Sequence, residues 1–328
     1  MNLDWPAWWQ TGWSTWSSPV AIWWCCLTIV STLNIVLWFK LVAVWSRSGV
    51  RGPGGMQGGV QGGAPAGVST GILAIEPLLL LAAAYVFVCA FRSVLPRADV
   101  QRICLFDTWL SSVMVGRSMA TVAEICFAAQ WAIVLRELGR ISHSDTTKNI
   151  AGAVVPLIVL AECCSWYAVI STNFLGNALE NSIWAVVFAL IGVALVRLFF
   201  SFRGPARVVL AAAAAGVACY VLFMATLDVP MYLARWHADL ESRKPLLGLF
   251  AGLHDLATRW VVTHRFAPWH NEIPWMSLYF SVAVWMSLML GSFGLIRHLV
   301  PRYRVRRPLI KATRRPVPIP IRSSEPRF

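Results

Sequence analysis

The sequence predicts an all-α integral membrane protein, a polytopic bundle of seven transmembrane helices. The first observation is composition: the chain is 58% hydrophobic and only 13% charged, whereas soluble proteins are about half apolar and about a quarter charged. The second is its mean hydropathy of +0.63. The third is a set of seven apolar stretches, each of about 18 residues or more, which is the length that a spanning helix needs.

Each of these stretches is predicted to be a helix that crosses the bilayer. About 20 residues at 1.5 Å per residue cross the hydrocarbon layer, and the backbone polar groups in lipid must be satisfied within the helix. No strand-like alternation of apolar and polar residues competes with this interpretation. The predicted spans are 20–44, 72–95, 109–138, 150–171, 182–201, 206–227 and 275–297.

The remaining segments complete the predicted organisation. We expect an extracytoplasmic, tryptophan-rich N-terminus at 1–19, a transmembrane domain at 20–300 and a basic cytoplasmic tail at 301–328. Within the transmembrane domain, a glycine-rich loop at 46–70 is predicted to be cytoplasmic, and a long loop at 228–274 is predicted to lie outside.

Part of the long outer loop has the apolar spacing of an amphipathic helix, over residues 246–264. Its apolar stripe is predicted to face the bilayer or the bundle, with Asp255 and Arg259 facing water. The stripe includes Leu249, Leu253, Leu256 and Trp260.

The distribution of basic residues predicts that the N-terminus is outside and the C-terminus is cytoplasmic. Seven spans place the termini on opposite sides, and cytoplasmic segments carry an excess of Lys and Arg. Residues 301–328 contain nine basic residues against Glu325 alone, while the first nineteen residues contain none. The second loop, which holds Arg92, Arg97 and Arg102, argues against this orientation.

Charged residues in the third span point to a polar site inside the bundle. Arg117 and Glu124 are seven residues apart, so they lie about 20° apart around a helix. The small residues Gly116 and Ala120 share that stripe, which favours close helix packing. A charge at the bilayer centre costs about 2.5–3.5 kcal/mol on insertion scales. We therefore expect Arg117 and Glu124 to face the bundle interior, in one polar network with Glu162 of the fourth span.

Further polar residues fall in what is predicted to be the outer half of the bundle, on the same side as the long loop. They complete the candidate site, whose expected roles are binding of a ligand, a proton or a cation. The candidates are Arg117, Glu124, Glu162, Asn173, Asn177, Glu180, Asp228 and Tyr232. No catalytic residue is identified, so the sequence does not decide whether the protein is an enzyme.

Two functions of different classes stay open. In the first, an outward-facing polar cavity binds or processes a small-molecule or lipid-like ligand. In the second, the protein is a non-catalytic membrane subunit or scaffold, and its buried polar residues are contacts between helices. Intramembrane ionisable residues favour the first, whereas polar contacts that hold helices together are common enough to sustain the second.

No cofactor is predicted, because the spans lack the histidine ligands of a haem and the lysine of a retinal Schiff base. The only weak metal candidates are loop histidines without zinc-site spacing, namely His237, His254, His264 and His270. The expected partners are the lipid bilayer, anionic headgroups at the basic tail and, as an alternative, another membrane protein. Nucleic acid is not expected, because the tail lacks interleaved aromatic residues.

Overall fold

The computed structural model describes residues 18–47 and 77–294. The predictions for the N-terminal segment, the glycine-rich loop and the basic tail lie outside the described residues. Within the described part, seven helices are long and apolar enough to cross a membrane. The seven-helix prediction is confirmed, and the chain is a multi-pass membrane protein in contact with the lipid bilayer.

The first five spans are single helices. They are α1 (Ser18–Arg47), α2 (Pro77–Val94), α3 (Val113–Ile141), α4 (Asp145–Ser171) and α5 (Phe174–Ser201).

The last two spans each contain one π-helical turn. The sixth consists of α6 (Pro205–Phe223), the turn Met224–Asp228 and α7 (Val229–Glu241). The seventh consists of α10 (Glu272–Leu278), the turn Tyr279–Ala283 and α11 (Val284–Gly291). Between them lie α8 (Leu249–Thr258) and α9 (Phe266–Trp269).

Local sequence explains where several spans begin. The side chains of Ser112, Ser144 and Asn173 accept hydrogen bonds from backbone N–H groups in the first turns of α3, α4 and α5, which is the usual N-cap arrangement. Pro205 opens α6, where its missing N–H costs nothing. These caps fix the residues at which the helices that carry most of the candidate site begin.

Two span boundaries differ from the prediction by more than the others do. The fifth helix begins at Phe174, so residues 174–181, predicted to precede that span, are its first turns. The sixth span continues to Glu241, although the outer loop was predicted to begin at 228. The π-helical turn carries the helix through Asp228 and Pro230, so these polar and helix-breaking residues do not end it.

Helices that follow one another in the chain pack side by side from the first span to the sixth. The C-terminal part of the seventh span, α11, packs against α1, α2 and α3. Gln130 of α3 marks this contact, since its side-chain amide donates to the carbonyls of Leu78 and Ser287, both at 3.1 Å. The third span therefore contacts the fourth, the fifth and the seventh, and five of the eight candidate site residues lie on these spans.

A small sheet, which the sequence analysis did not predict, joins the second and sixth loops. Its strands are β1 (Arg97–Ala98), β2 (Ile103–Cys104) and β3 (Val261–Val262). β1 and β2 are antiparallel and β2 and β3 are parallel. Strands of two residues are too short to show an alternating pattern, so sequence periodicity could not reveal them.

The predicted amphipathic helix is present but shorter, as α8. Leu256 is fully buried against Val113 and Val169, whereas Leu249 and Phe250 are exposed on the protein surface. Asp255, predicted to face water, instead forms an ion pair of 3.0 Å with Arg102. The apolar pattern assigned this face of the helix to solvent. In the structure it faces the second loop, and the salt bridge holds it there.

Candidate functional site

The charged stripe of the third span faces the bundle interior. Arg117 and Glu124 are only 8% and 7% exposed. Their seven-residue spacing puts both side chains on one face of α3. The fourth and fifth spans each add one buried carboxylate beside this stripe, Glu162 and Glu180.

The guanidinium group of Arg117 is the centre of this cluster. Its Nη2 lies 2.8 Å from Glu162 Oε2 and 3.1 Å from Glu180 Oε1. Glu124 is more distant, with 3.6 Å between its Oε2 and the same nitrogen. Arg117 thus connects the third span to the fourth and fifth, and it brings together four of the eight candidate residues. We call Arg117, Glu124, Glu162 and Glu180 the carboxylate cluster.

Neutral side chains hold two of the carboxylates in place. Thr121 donates to Glu162 Oε2 at 2.6 Å and accepts from the indole of Trp166 at 3.0 Å. The Tyr279 hydroxyl donates to Glu124 Oε1 at 3.0 Å. Thr121 lies between Arg117 and Glu124 on the same helix, but the sequence analysis did not assign it to the site. Tyr279 could not be found from local pattern, because it comes from the seventh span.

Asn177 is a fifth candidate that reaches the cluster. Its amide nitrogen lies 3.5 Å from Glu180 Oε2, three residues further along α5. This contact is long for a hydrogen bond, so Asn177 contributes less to the position of Glu180 than Arg117 does.

The cluster contains three carboxyl groups and one basic group. Its three carboxylates are buried, and one oxygen from each lies within 4.8 Å of the other two. The carboxyl groups of Glu124 and Glu162 are within hydrogen-bond reach of each other. Among the described residues, Glu162 Oε1 has no hydrogen-bond donor. One guanidinium therefore faces three carboxylates, and burial of uncompensated charge is costly. Chemically, the cluster can bind a proton or an oxygen-liganded cation.

A second ionic group covers the cluster from the loop that follows the second span. Arg97 is 3% exposed, and its Nη2 lies 2.5 Å from Asp99 Oδ1 and 2.9 Å from the Val113 carbonyl. Its guanidinium group occupies the space beside Gly116, where a Cβ would overlap it. Gly116 therefore admits an arginine side chain from the loop, one residue before Arg117.

Electrostatic interactions couple this loop to the cluster. Burial raises the pKa of Asp99, but Arg97, Arg92 and Arg117 outweigh it and hold that pKa below its ordinary value. Burial lowers the pKa of Arg97, and Asp99 opposes the decrease. Asp99 is thus an anion that three arginines stabilise, and one of them belongs to the carboxylate cluster.

The other three candidate residues lie outside the cluster's contacts. Asn173 caps α5 and donates to the Tyr167 hydroxyl at 3.0 Å. Asp228 accepts a hydrogen bond from Asn181 at 2.5 Å. Tyr232 packs against Phe174, with 6.3 Å between ring centroids.

The loop histidines are not brought together. Among the described residues, the group whose side chains could jointly hold a metal ion consists of the three glutamates. Each of the four histidines contacts a different partner: His237 packs on Trp236, His254 approaches Thr258, His264 approaches the Leu105 carbonyl and His270 approaches Asn271.

Comparisons of the chain with protein-family models, with curated proteins and with solved structures gave no significant match. The proposals below therefore rest on the chemistry and geometry of this chain.

Proposed function

We propose that this membrane protein takes up and releases a proton at the carboxylate cluster, and that occupancy of the cluster is linked to the packing of its third, fourth, fifth and seventh spans. One observation carries the proposal: three buried carboxylates lie within 4.8 Å of one another, and a single guanidinium contacts them. Such a group gains electrostatic stability when a proton binds, because neutral carboxyl groups cost less to bury than anions.

A proton suits the cluster better than a divalent metal ion does. Three carboxylate oxygens would be acceptable ligands for Mg²⁺ or Ca²⁺. However, the guanidinium of Arg117 lies 2.8 Å from Glu162 and 3.1 Å from Glu180, so it already occupies the position of positive charge. A proton shared between Glu124 and Glu162 would need no further ligands and would give one of these carboxyl groups a donor.

The π-helical turn of the seventh span supports a link between the cluster and helix packing. It begins at Tyr279, the residue whose hydroxyl donates to Glu124. Such turns occur frequently at functional sites. If Glu124 releases its proton, its interaction with Tyr279 changes from a bond to a neutral acid to a bond to a carboxylate, and charge-assisted bonds are shorter and stronger.

The geometry gives less support to an outward polar cavity for a small-molecule or lipid-like ligand at these residues. Arg117, Glu124 and Glu162 contact one another, and each is less than a tenth exposed. Arg117 is surrounded by carboxylates, so it is a poor contact for an anionic ligand.

A second candidate function, that of a non-catalytic subunit or scaffold, is supported by a specific observation. Arg117 forms ion pairs with Glu162 and Glu180 on two neighbouring spans, which is what a purely structural contact between helices would do. Under this alternative, the excess carboxylates would be protonated permanently and would not exchange with solvent.

Infrared difference spectroscopy of the purified full chain distinguishes the two. Spectra recorded in acidic and alkaline buffers, in H₂O and in D₂O, report carboxyl groups that gain or lose a proton. We expect a protonated-carboxyl band that responds to pH and disappears in Glu124→Gln. The matched control is Glu137→Gln, because Glu137 pairs with the exposed Arg140 at the end of the same helix.

Three results would contradict the proton proposal. The first is a wild-type spectrum without a pH-sensitive protonated-carboxyl band. The second is loss of the band in Glu137→Gln to the same degree. The third is a stoichiometric metal ion in native mass spectrometry that is lost in Glu162→Gln, which would assign the cluster to a metal.

A further inference from the structure

A groove of about 720 Å³ lies between the fifth and sixth spans, away from the carboxylate cluster. On α5 it extends from Ala189 to Arg197, and on the sixth span from Ala214 to Ala225. Ten of its eleven lining residues are apolar, and Arg197 is the charged one. Several are small, including Gly192 and Ala218, so the two helices leave space between them.

The groove has the length of one half of a bilayer. Eight residues separate Ala189 from Arg197 and eleven separate Ala214 from Ala225, which correspond to about 12 Å and about 16 Å of helix at 1.5 Å per residue. Half of the hydrocarbon layer is about 15 Å thick. The groove therefore extends from the level of Arg197 to about the middle of the membrane, which is the depth that one acyl chain occupies.

The charged end of the groove lies where basic residues collect. The third and fifth helices end there, and the fourth and sixth spans begin there, which places Arg140, Lys148, Arg203 and Arg207 at the same end of the bundle as Arg197. The Arg197 side chain is exposed and donates to Thr146 at 3.3 Å. Among the described residues, no carboxylate lies within ion-pair distance of Arg197.

We propose that this groove binds one anionic phospholipid, with an acyl chain between the fifth and sixth spans and the headgroup phosphate on Arg197. The apolar walls match the hydrocarbon chain. The guanidinium group, which presents donors in a planar fork, matches a phosphate. This binding site is independent of the proton proposal, because the two share no residue.

The charge at the end of the groove favours an anionic lipid over a transmembrane helix of a partner. An apolar helix would bring apolar residues against Arg197, which has no carboxylate partner among the described residues.

Native mass spectrometry of the full chain in detergent, with added dioleoyl phosphatidylglycerol or dioleoyl phosphatidylcholine, tests the proposal. We expect one phosphatidylglycerol molecule to be retained more strongly than phosphatidylcholine. Arg197→Gln should weaken that retention by about fivefold, since one basic residue near an anionic headgroup contributes roughly that factor. Ala218→Leu, which fills the groove, should weaken retention of the same lipid while Arg197 remains.

Two control variants separate the groove from other basic surfaces. Arg136→Gln removes one exposed charge at the same end of the bundle, and Ala212→Leu adds the same bulk to an exposed position of α6 that does not line the groove. Both should bind the lipid as the wild type does. Lipid bound elsewhere, such as on the basic tail, would not respond to Ala218→Leu.

Three outcomes would overturn the proposal. One is equal retention of the two phospholipids by the wild type. Another is unchanged phosphatidylglycerol binding in both Arg197→Gln and Ala218→Leu. The third is a dimer that Ala218→Leu dissociates without loss of lipid, which would show that a second copy of the chain occupies the groove.

Discussion

Arg117 is the residue on which the charge balance of the bundle core depends. Bringing a guanidinium and three carboxylates out of water costs free energy that only good geometry recovers. The contacts to the three carboxylates are unequal, at 2.8 Å for Glu162, 3.1 Å for Glu180 and 3.6 Å for Glu124. Glu162 and Glu180 therefore neutralise Arg117 first, and Glu124 is the carboxylate with the least compensation from it.

These unequal distances predict that replacing Glu162 by leucine destabilises the protein more than replacing Glu124 by leucine does. Glu162→Leu should lower the free energy of unfolding by roughly 3 kcal/mol, the lower end of the range for breaking a buried ion pair. Arg117 keeps Glu180 but loses its nearest carboxylate, and the Thr121 hydroxyl loses its acceptor. Glu124→Leu should cost about 1–3 kcal/mol, mainly from the unpaired Tyr279 hydroxyl. Thermal unfolding in detergent, followed by tryptophan fluorescence, shows which of the two variants is less stable.

Asp145→Leu is the control, because it removes a carboxylate that is 86% exposed and pairs with Lys148 at the start of α4. It should change the free energy of unfolding little, as expected for a surface pair. A Glu124→Leu variant that is as unstable as Glu162→Leu would contradict the unequal contacts.

At this scale, helical periodicity predicts only part of the site. The seven-residue spacing of Arg117 and Glu124 predicted a shared inward face, and both side chains are buried. The partners on that face are set by tertiary packing, which local spacing does not encode. Tyr279 is 155 residues from Glu124 in the chain, and no feature of "WMSLYF" indicates that contact.

At the scale of elements, the loop after the second span acts as part of the bundle. Arg97 inserts beside Gly116 at the start of α3, and Arg102 pairs with Asp255 of α8. The small sheet adds backbone hydrogen bonds between this loop and the sixth loop, such as Val261 N to the Arg102 carbonyl at 2.7 Å. Loops that connect in this way cover one end of the carboxylate cluster, an arrangement that hydropathy alone does not predict.

The ion pair in this loop predicts a pH-dependent effect of Asp99→Asn. The pKa of Asp99 is held below its ordinary value by Arg97, Arg92 and Arg117, despite burial. A lowered pKa in the folded state contributes stability above the unfolded value of about 3.9, and that contribution is lost as pH falls toward the folded pKa. Asp99→Asn should therefore destabilise the protein at neutral pH, by about 1–3 kcal/mol for the lost charged hydrogen bond.

The measurement is the difference in unfolding temperature between the wild type and Asp99→Asn across pH. We expect a constant difference at neutral pH that shrinks as pH falls below about 3.9. Asp107→Asn is a suitable control, because its carboxylate accepts from the Trp260 indole and forms no ion pair among the described residues. A difference for Asp99→Asn that grows in acid would contradict the inferred direction.

At the scale of the whole molecule, the ion pairs show which basic residues keep a free positive charge, and this affects the prediction of the membrane orientation. Arg97 and Arg102 argued against an outside N-terminus when counted as loop cations. In the fold they are buried and paired with Asp99 and Asp255. By contrast, Arg136, Arg203 and Arg207 at the opposite end have no carboxylate partner among the described residues. Arg235, Arg243 and Arg265, at the same end as Arg97 and Arg102, also lack a carboxylate partner among the described residues. Lys40, Arg47 and Arg197 are unpaired in the same sense and add to the opposite end, so the end where the third and fifth helices finish has the larger share of the free positive charge.

We therefore predict that the end of the bundle carrying Arg136, Arg203 and Arg207 is cytoplasmic, which places the N-terminus outside and the basic tail inside. The physical reason is the excess of Lys and Arg in segments that stay in the cytoplasm. Single cysteines introduced at Ser17 and Ser323 in a background without reactive native cysteines measure this with a membrane-impermeant thiol reagent applied to intact cells. We expect labelling at Ser17 and none at Ser323 until the membrane is opened. Labelling of both positions from one side would contradict a seven-span topology, and the reverse pattern would invert the orientation while leaving the seven helices in place.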